Sequence, residues 1–214
     1  YRMTGLSPVA TLLSQEQHLP EARKRGMLRS AGCATLCTEV KIVDEAGKEV
    51  ARGEVGEIAV RGPNVMLGYW NKPEQTVQAI RNGWMHTGDG GRMDERGFIY
   101  VVDRLKDMII SGGENVFSIE VENALAQHPD VLACAVIGVP SDQWGEAVHA
   151  VVVSRPGASN DAAALIAHCK TLIAGYKSPR SVDFRDALPL SGAGKILKTE
   201  LRKPFWDKVD RKIG

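Results

Sequence analysis

Three short stretches hold side chains whose chemistry goes beyond packing. Thr87-Gly88-Asp89 sets a carboxylate beside a glycine at a strand end. With two acceptor oxygens, a carboxylate there suits a vicinal diol such as a ribose, but a turn aspartate bonding its own backbone uses the same residues. The second stretch, Val101 to Phe117, reads VVDRLKDMIISGGENVF. In it the apolar strands Phe98 to Val102 and Met108 to Ile110 flank a charged joint, Asp103-Arg104-Leu105-Lys106-Asp107. Ionised side chains that enter a core unpaired lose their water, so the joint belongs at a seam between two bodies. Gly112 and Gly113 beyond it permit positive φ and leave bare backbone for a ligand to press against. Two modules moving around a ligand fit these residues, and so does an ordinary hairpin with a glycine turn. The third stretch is Leu188 to Ile196, where Gly192 and Gly194 precede Lys195. A mobile loop pushing one ammonium into a cleft and a solvated loop lysine are both compatible with it.

The elements that position these residues fall into two styles. Residues 1 to 32 are loop-like, with Pro8, Pro20 and a solvated basic cluster from Arg23 to Arg29. Short strands follow, EVKIV from Glu39 and EIAVR from Glu57 to Arg61, and then a proline-started helix from Lys72-Pro73-Glu74 to about Ile80. Two more strands meet at the turn Asp94-Glu95-Arg96-Gly97, and the set suggests a small barrel or sandwich. Beyond the joint, Ser118 can cap a helix from Ile119 to His128, with Glu120 and Glu122 in its positive first turn and Pro129 ending it. Val131 to Val139 and Ala147 to Val153 read as apolar strands, and Asp161 to Ala174 as a helix apolar at Leu165, Cys169, Leu172 and Ile173. Ser181 to Arg185 is a last strand. The fold class expected is α+β: a β-rich part over 1–103, then a compact mixed module over 104–214.

Composition narrows the partners. Lys plus Arg number 27 and Asp plus Glu 26, a net +1 spread along 214 residues, so no nucleic-acid surface is expected. Cys33, Cys37, Cys134 and Cys169 form no CxxC pair and have no histidine at ligand spacing, which favours buried reduced thiols in a cytoplasmic protein over a metal site. His86 and His149 read as structural, and Trp84 and Trp144 as packing or the flanks of a cleft. No apolar run approaches membrane-spanning length. The chain opens on YRMTGLSP without a starting Met and reads as a piece of a longer polypeptide.

TGD, then DRLKDMIISGGENVF, then PLSGAGKIL, in that order, resembles the adenylate-forming enzymes: acyl-CoA synthetases, peptide-synthetase adenylation domains and firefly-type luciferases. The opening YRMTGLSP looks like their aromatic-Gly-x-Thr-Glu motif, and DRLKDMIISGGEN with GKILK is similar to the fatty-acyl-CoA ligase branch. Peptide-synthetase domains usually carry a basic, polar run where Ile109-Ile110-Ser111 stands here.

The resemblance implies a distorted-barrel end of a large N-terminal domain and a mobile C-terminal lid. It implies an enzyme that joins a carboxylic acid to ATP, releases pyrophosphate and passes the acyl group to coenzyme A, with Mg²⁺ as cofactor. On this sequence Tyr1 stacks on adenine, Thr4 touches phosphate, Asp89 holds the ribose hydroxyls with Arg104 assisting, and Lys195 meets the charge developing at the α-phosphorus. Lys106 matches the hinge, and Gly112 and Gly113 line a tunnel for pantetheine. Two residues depart from the family: Arg2 stands for Gly beside the acyl pocket, and Gly5 stands for the Glu that contacts Mg²⁺. The phosphate loop of the TSGTTGxPKG type belongs upstream of Tyr1, so the chain by itself is expected to bind ATP weakly and make no adenylate. A domain that loads a carrier protein and a degenerate, non-catalytic module are the alternatives.

Overall fold

A computed structural model describes residues 1–192 and 194–207. The chain divides into two compact units, Tyr1–Leu105 and Lys106–Gly214, so the boundary falls inside the charged joint, just beyond the expected residue 103.

In the first unit, β1 (Thr11–Leu12) pairs antiparallel with β2 (Cys33–Ala34) around α1 (Pro20–Lys24), where proline sits in the first turn and needs no donor. Arg23, Lys24, Arg25 and Arg29 are exposed, as a solvated basic cluster requires. Five strands then build one antiparallel sheet: β3 (Glu39–Val43), β4 (Val55–Arg61), β5 (Ile80–Arg81), β6 (Trp84–Met93) and β7 (Ile99–Arg104). Their order is β3-β4-β6-β5, with β7 also on β6, and the sheet curls into a half-barrel. Short α2 (Pro73–Ala79) leads into β5. Leu6, Ile42, Ile58, Val60, Met85 and Ile99 form the core.

The second unit begins with a hairpin, β8 (Ile109–Ser111) and β9 (Glu114–Val116), followed by α3 (Ser118–Leu125). The long hairpin of β10 (Val131–Ser141) and β11 (Gly145–Ser154), then α4 (Ala162–Leu172), β12 (Ser181–Phe184) and α5 (Lys198–Trp206), complete it. The sheet order is β10-β11-β8-β9, and β12 lies parallel on β11. Alternation sends Val136, Val148, Ala150 and Val152 toward α3 and α4, where Leu125, Leu165 and Cys169 meet them. Ala135, Ile137, Val139 and Val151 point to the other face, which α5 covers with Leu201 and Phe205. Because both faces are covered, β10 and β11 read as near-continuous apolar runs.

Some expectations need correction. Ser118 is the first residue of α3, with Phe117 in the cap position, and its hydroxyl accepts from Lys198 Nζ at 2.6 Å. The helix therefore starts early, and Glu122 lies beyond the first turn, accepting from Val136 N–H at 2.8 Å and pairing with Lys198 Nζ at 2.7 Å. Leu172 is 45% exposed, leaving Leu165, Cys169 and Ile173 as the inward face of α4, which Asp161 caps through Ala164 N–H. The sequence reading contained no counterpart to α5. Its residues KTELRKPFW bury only Leu201 fully, and Pro204 lies inside the helix.

All four cysteines are free. Burial pushes the Cys134 thiol up to about 12 and Cys169 up to about 11, so both stay protonated at neutral pH, whereas Cys37 is exposed.

His149 on β11 is 2% exposed, its ring against Phe205 at a centroid distance of 4.9 Å. Nδ1 lies 2.7 Å from Ser181 Oγ, and Nε2 has no hydrogen bond, with Asp183 Oδ2 at 3.5 Å. Burial holds its pKa below the ordinary 6.5 and outweighs the attraction of Asp183. Unfolded chain therefore takes up a proton before native chain does, so stability is full above pH 6.5 and falls as pH drops from there toward the lowered native value. Urea unfolding between pH 7.5 and 5 (about one unit either side of a free imidazole) should give a declining midpoint that His149→Leu flattens.

Candidate active site

Asp89 is presented by a break in the β4–β6 ladder. Ala59 pairs with His86 and Glu57 with Gly90, so one residue of β4, Ile58, faces three of β6: Thr87, Gly88 and Asp89. Such a bulge re-aims side chains and leaves backbone groups without ladder partners. Side chains replace them. Gly88 N–H donates to Glu57 Oε1 at 2.9 Å, Thr87 Oγ1 donates to Ile58 O at 2.7 Å, and Asp89 N–H donates to Thr87 Oγ1 at 3.2 Å. His86 Nδ1 lies 2.7 Å from Glu57 Oε2, which fits the structural role read for this histidine. The bulge thus contains a local turn bond, and it also turns the Asp89 carboxylate toward two partners, one expected to assist it and one expected only to stack on adenine.

Those partners are Tyr1 and Arg104. Tyr1 Oη donates a hydrogen bond to Asp89 Oδ2. Arg104 is paired with Asp89 across β6 and β7, and its Nε stands 3.8 Å from Oδ1. Burial first, and the bond to Asp89 second, raise the Tyr1 phenol well above its ordinary 10.0. Thr4 is exposed and opens a one-turn helix, Thr4–Leu6, that buries Leu6, and Arg2 is exposed in a bridge to Val9. Gly5 faces the core: a Cβ there would lie 2.5 Å from Met85 Cε and 3.2 Å from Met66 Sδ. A carboxylate at this position would have to displace a methionine end. Among the described residues no group of three or more His, Cys, Asp or Glu is placed to hold a metal ion, and Gly5 offers no carboxylate.

In the second unit the joint closes as a single turn, Leu105–Asp107, with Lys106 exposed. Asp107 is the charge that enters the protein. Its side chain is 13% exposed and pairs with Arg202 Nη1 at 3.0 Å, with Arg202 17% exposed. The same Nη1 donates to Lys106 O at 3.2 Å. Gly112 and Gly113 form the β8–β9 turn with φ of 63° and 84°, as the hairpin reading expects. They differ in surroundings: a Cβ on Gly112 would lie 2.8 Å from Trp144 Cε3, whereas one on Gly113 meets nothing within 4 Å. Trp144 is 36% exposed, accepts from Gly112 N–H at 2.9 Å and stacks near the Arg180 guanidinium at 5.2 Å.

Lys195 is exposed at the end of a tight turn. Leu190 bridges Ile196, Ser191 N–H donates to Lys195 O at 2.8 Å, and Lys195 N–H donates to Ser191 Oγ at 3.1 Å. Its backbone is held while its ammonium faces solvent. Sequence reasoning missed Glu57, Lys198 and Arg202. Each acts through a partner distant in sequence, so spacing alone gave no signal for them. A surface cavity of about 410 Å³ lies at the Ser154 end of β11, lined in part by Arg155, Phe184 and Arg185, away from the glycine turn at Gly145.

Comparison with known proteins gives two family models: the AMP-binding enzyme over residues 1–70 and the AMP-binding enzyme C-terminal domain over 120–195. A feruloyl-CoA synthase from Amycolatopsis sp is 49% identical over 96% of this chain and 40% of its own length. A long-chain-fatty-acid–CoA ligase from Salmonella typhimurium is 46% identical over 97% of this chain and 36% of its own. The solved o-succinylbenzoate CoA synthetase from Bacillus subtilis, in complex with its acyl-adenylate intermediate, has a TM-score of 0.84 and 36% identity, covering 99% of this chain and 40% of that one. ATP-bound MatB from Rhodopseudomonas palustris has a TM-score of 0.79 and 41% identity over 84% of this chain and 36% of its own. The chain thus spans about two-fifths of the length of the curated relatives it matches.

The Tyr1–Asp89 pair is open to direct titration. Phenolate absorbance should show one tyrosine, lost in Tyr1→Phe, still protonated well above the ordinary 10.0. Asp89→Asn should lower it only part of the way toward 10.0, because burial, the larger cause, remains.

Proposed function

Because the chain belongs to the AMP-binding enzymes, we propose that it is the C-terminal part of an ATP-dependent acyl-CoA ligase, with residues 1–103 closing the large domain and 104–214 forming its lid. The observation that carries the proposal is the bulge that turns Asp89 toward Tyr1 and Arg104.

Each residue has a physical task in this reading. A carboxylate offers about four lone-pair sites. Tyr1 occupies one on Oδ2, so Oδ1 is left to receive a ribose hydroxyl, and Arg104, at 3.8 Å, remains able to reach the sugar or phosphate. Tyr1 offers its ring to adenine, and Thr4, exposed at its turn, offers a hydroxyl to phosphate. The exposed Lys195 ammonium neutralises charge that develops as the acid attacks the α-phosphorus, an interaction stronger in the transition state than before it. Rotation at Lys106 then withdraws Lys195, and the open face of Gly113 admits pantetheine for attack on the adenylate. The absence of a carboxylate at Gly5 leaves the described residues without a Mg²⁺ ligand there, so no step is assigned to the metal.

A carboxylic acid is the substrate class. The likeness of DRLKDMIISGGEN and GKILK to the fatty-acyl-CoA ligase branch favours a fatty acyl group, although relatives named for feruloyl and long-chain fatty acyl substrates match about equally well. Four free cysteines suit a reducing cytoplasm, and no helix among the described residues is long and apolar enough to cross a membrane.

In the full-length protein, acid-dependent pyrophosphate exchange should fall about 10²- to 10³-fold in Lys195→Ala, the scale for losing one preorganised charge-stabilising group. Thioester formation from supplied acyl-adenylate should change far less. Wild-type exchange in that variant would overturn the proposal, and transfer to a phosphopantetheinylated carrier in place of CoA would redirect it to carrier loading.

A further inference from the structure

The face of α5 that carries Lys198, Arg202 and Trp206 repeats at every fourth residue, and each of the three reaches a different part of the second unit. Lys198 Nζ holds Ser118 Oγ and Glu122 Oε1 on α3, and Trp206 Nε1 donates to Gly138 O on β10 at 3.1 Å. Between them Arg202 holds the joint itself, through the carbonyl of Lys106 and the carboxylate of Asp107. Leu201, fully buried beside it, seats the helix on the sheet.

We propose that Arg202 is a positioning residue for the hinge: it fastens the Lys106–Asp107 peptide to α5, so that the turning dihedrals lie at or before Lys106. The inference rests on the assignment of Lys106 as the pivot. A planar peptide moves as a unit, and its orientation to the chain that follows is set by φ of Asp107. With the Lys106 carbonyl and the Asp107 carboxylate both bound to one guanidinium, that angle is locked, and the freedom left lies in φ and ψ of Lys106 and in residues before it. The turn at Lys195 runs directly into α5, with Leu197 N–H donating to Pro189 O at 2.8 Å. One helix therefore joins the pivot and the reactive loop, and the distance between them is fixed as the lid turns. Without Arg202 the joint has several places to bend, and Lys195 and the glycine turn no longer arrive at set positions.

The test uses the full-length protein. Arg202→Ala strands a largely buried carboxylate and risks misfolding, so the informative variant is the double substitution Asp107→Leu with Arg202→Met, which removes both charges together. Arg202→Lys serves as the conservative rescue. Compared with Asp107→Leu alone, which presents trypsin with the same residue after Lys106, cleavage there should quicken about tenfold in the double variant, with cleavage after Lys170 on α4 unchanged, because only the joint opens. The ratio of adenylation to thioester-forming rates should shift about fivefold at unchanged KM for ATP and CoA, and Arg202→Lys should restore most of it. Cleavage at Lys106 and Lys170 rising together, or both half-reactions falling in equal proportion, would reduce Arg202 to a purely structural residue and overturn the inference. If the wild type performs neither half-reaction while the cleavage pattern holds, the clamp stands and the catalytic assignment falls.

Discussion

The β10–β11 hairpin is apolar on both faces, and this constrains everything after the joint. Val136, Val148 and Val152 are satisfied by α3 and α4, but Ile137, Val139 and Val151 would face water without α5. A short, charged helix is therefore indispensable, and truncating Leu201, its one fully buried side chain, would cost about 2–5 kcal/mol. Once α5 is fixed on the sheet, the turn at Lys195 that leads into it and the joint that Arg202 grips have little choice of position. Packing of a sheet face thus determines where two segments of the proposed site stand.

The first unit applies a different constraint to the same end. A three-against-one bulge in the middle of a sheet leaves backbone groups unpaired, and each one that stays buried without a partner costs about 1–3 kcal/mol. Glu57 accepts from Gly88 N–H and sits against His86, while Thr87 serves both Ile58 and Asp89. His86 and Glu57 thus spend their hydrogen-bonding capacity holding Asp89 outward. The carboxylate's position is set before any ligand arrives, so binding need not include the entropy of ordering it.

Local chemistry was legible from the residues, and tertiary consequences were not. Arg104 and the glycine pair stand on a strand end and a turn whose signals are short-range, Asp89 stands inside β6 at the bulge rather than at the strand end expected, and apolar runs marked β10 and β11 as strands. What those runs could not reveal was which element covers the far face, because α5 carries one fully buried residue and an internal proline. The joint was read as charge that must stay wet. Lys106 does, but Asp107 turns inward, since Arg202 from the far end of the chain compensates it. Ser118 misled for a related reason: a good cap residue was recruited to bind Lys198 instead. In each case a partner some eighty or more residues away outweighed a local preference.

The two units also differ in how firmly they hold their charged groups, and the difference suits the proposed chemistry. Asp89 is fixed through its backbone, a phenol and a facing arginine, as befits a group that recognises a sugar already bound in the ground state. Lys195 has its backbone held and its ammonium left in solvent. A cation locked into protein bonds would have to break them at the moment charge develops on phosphate, whereas a free one gives up only water. In the proposed reading, fixing the carboxylate and the lysine's backbone while leaving the lysine's tip exposed would let one lid bring the ammonium in for the first reaction and take it away for the second.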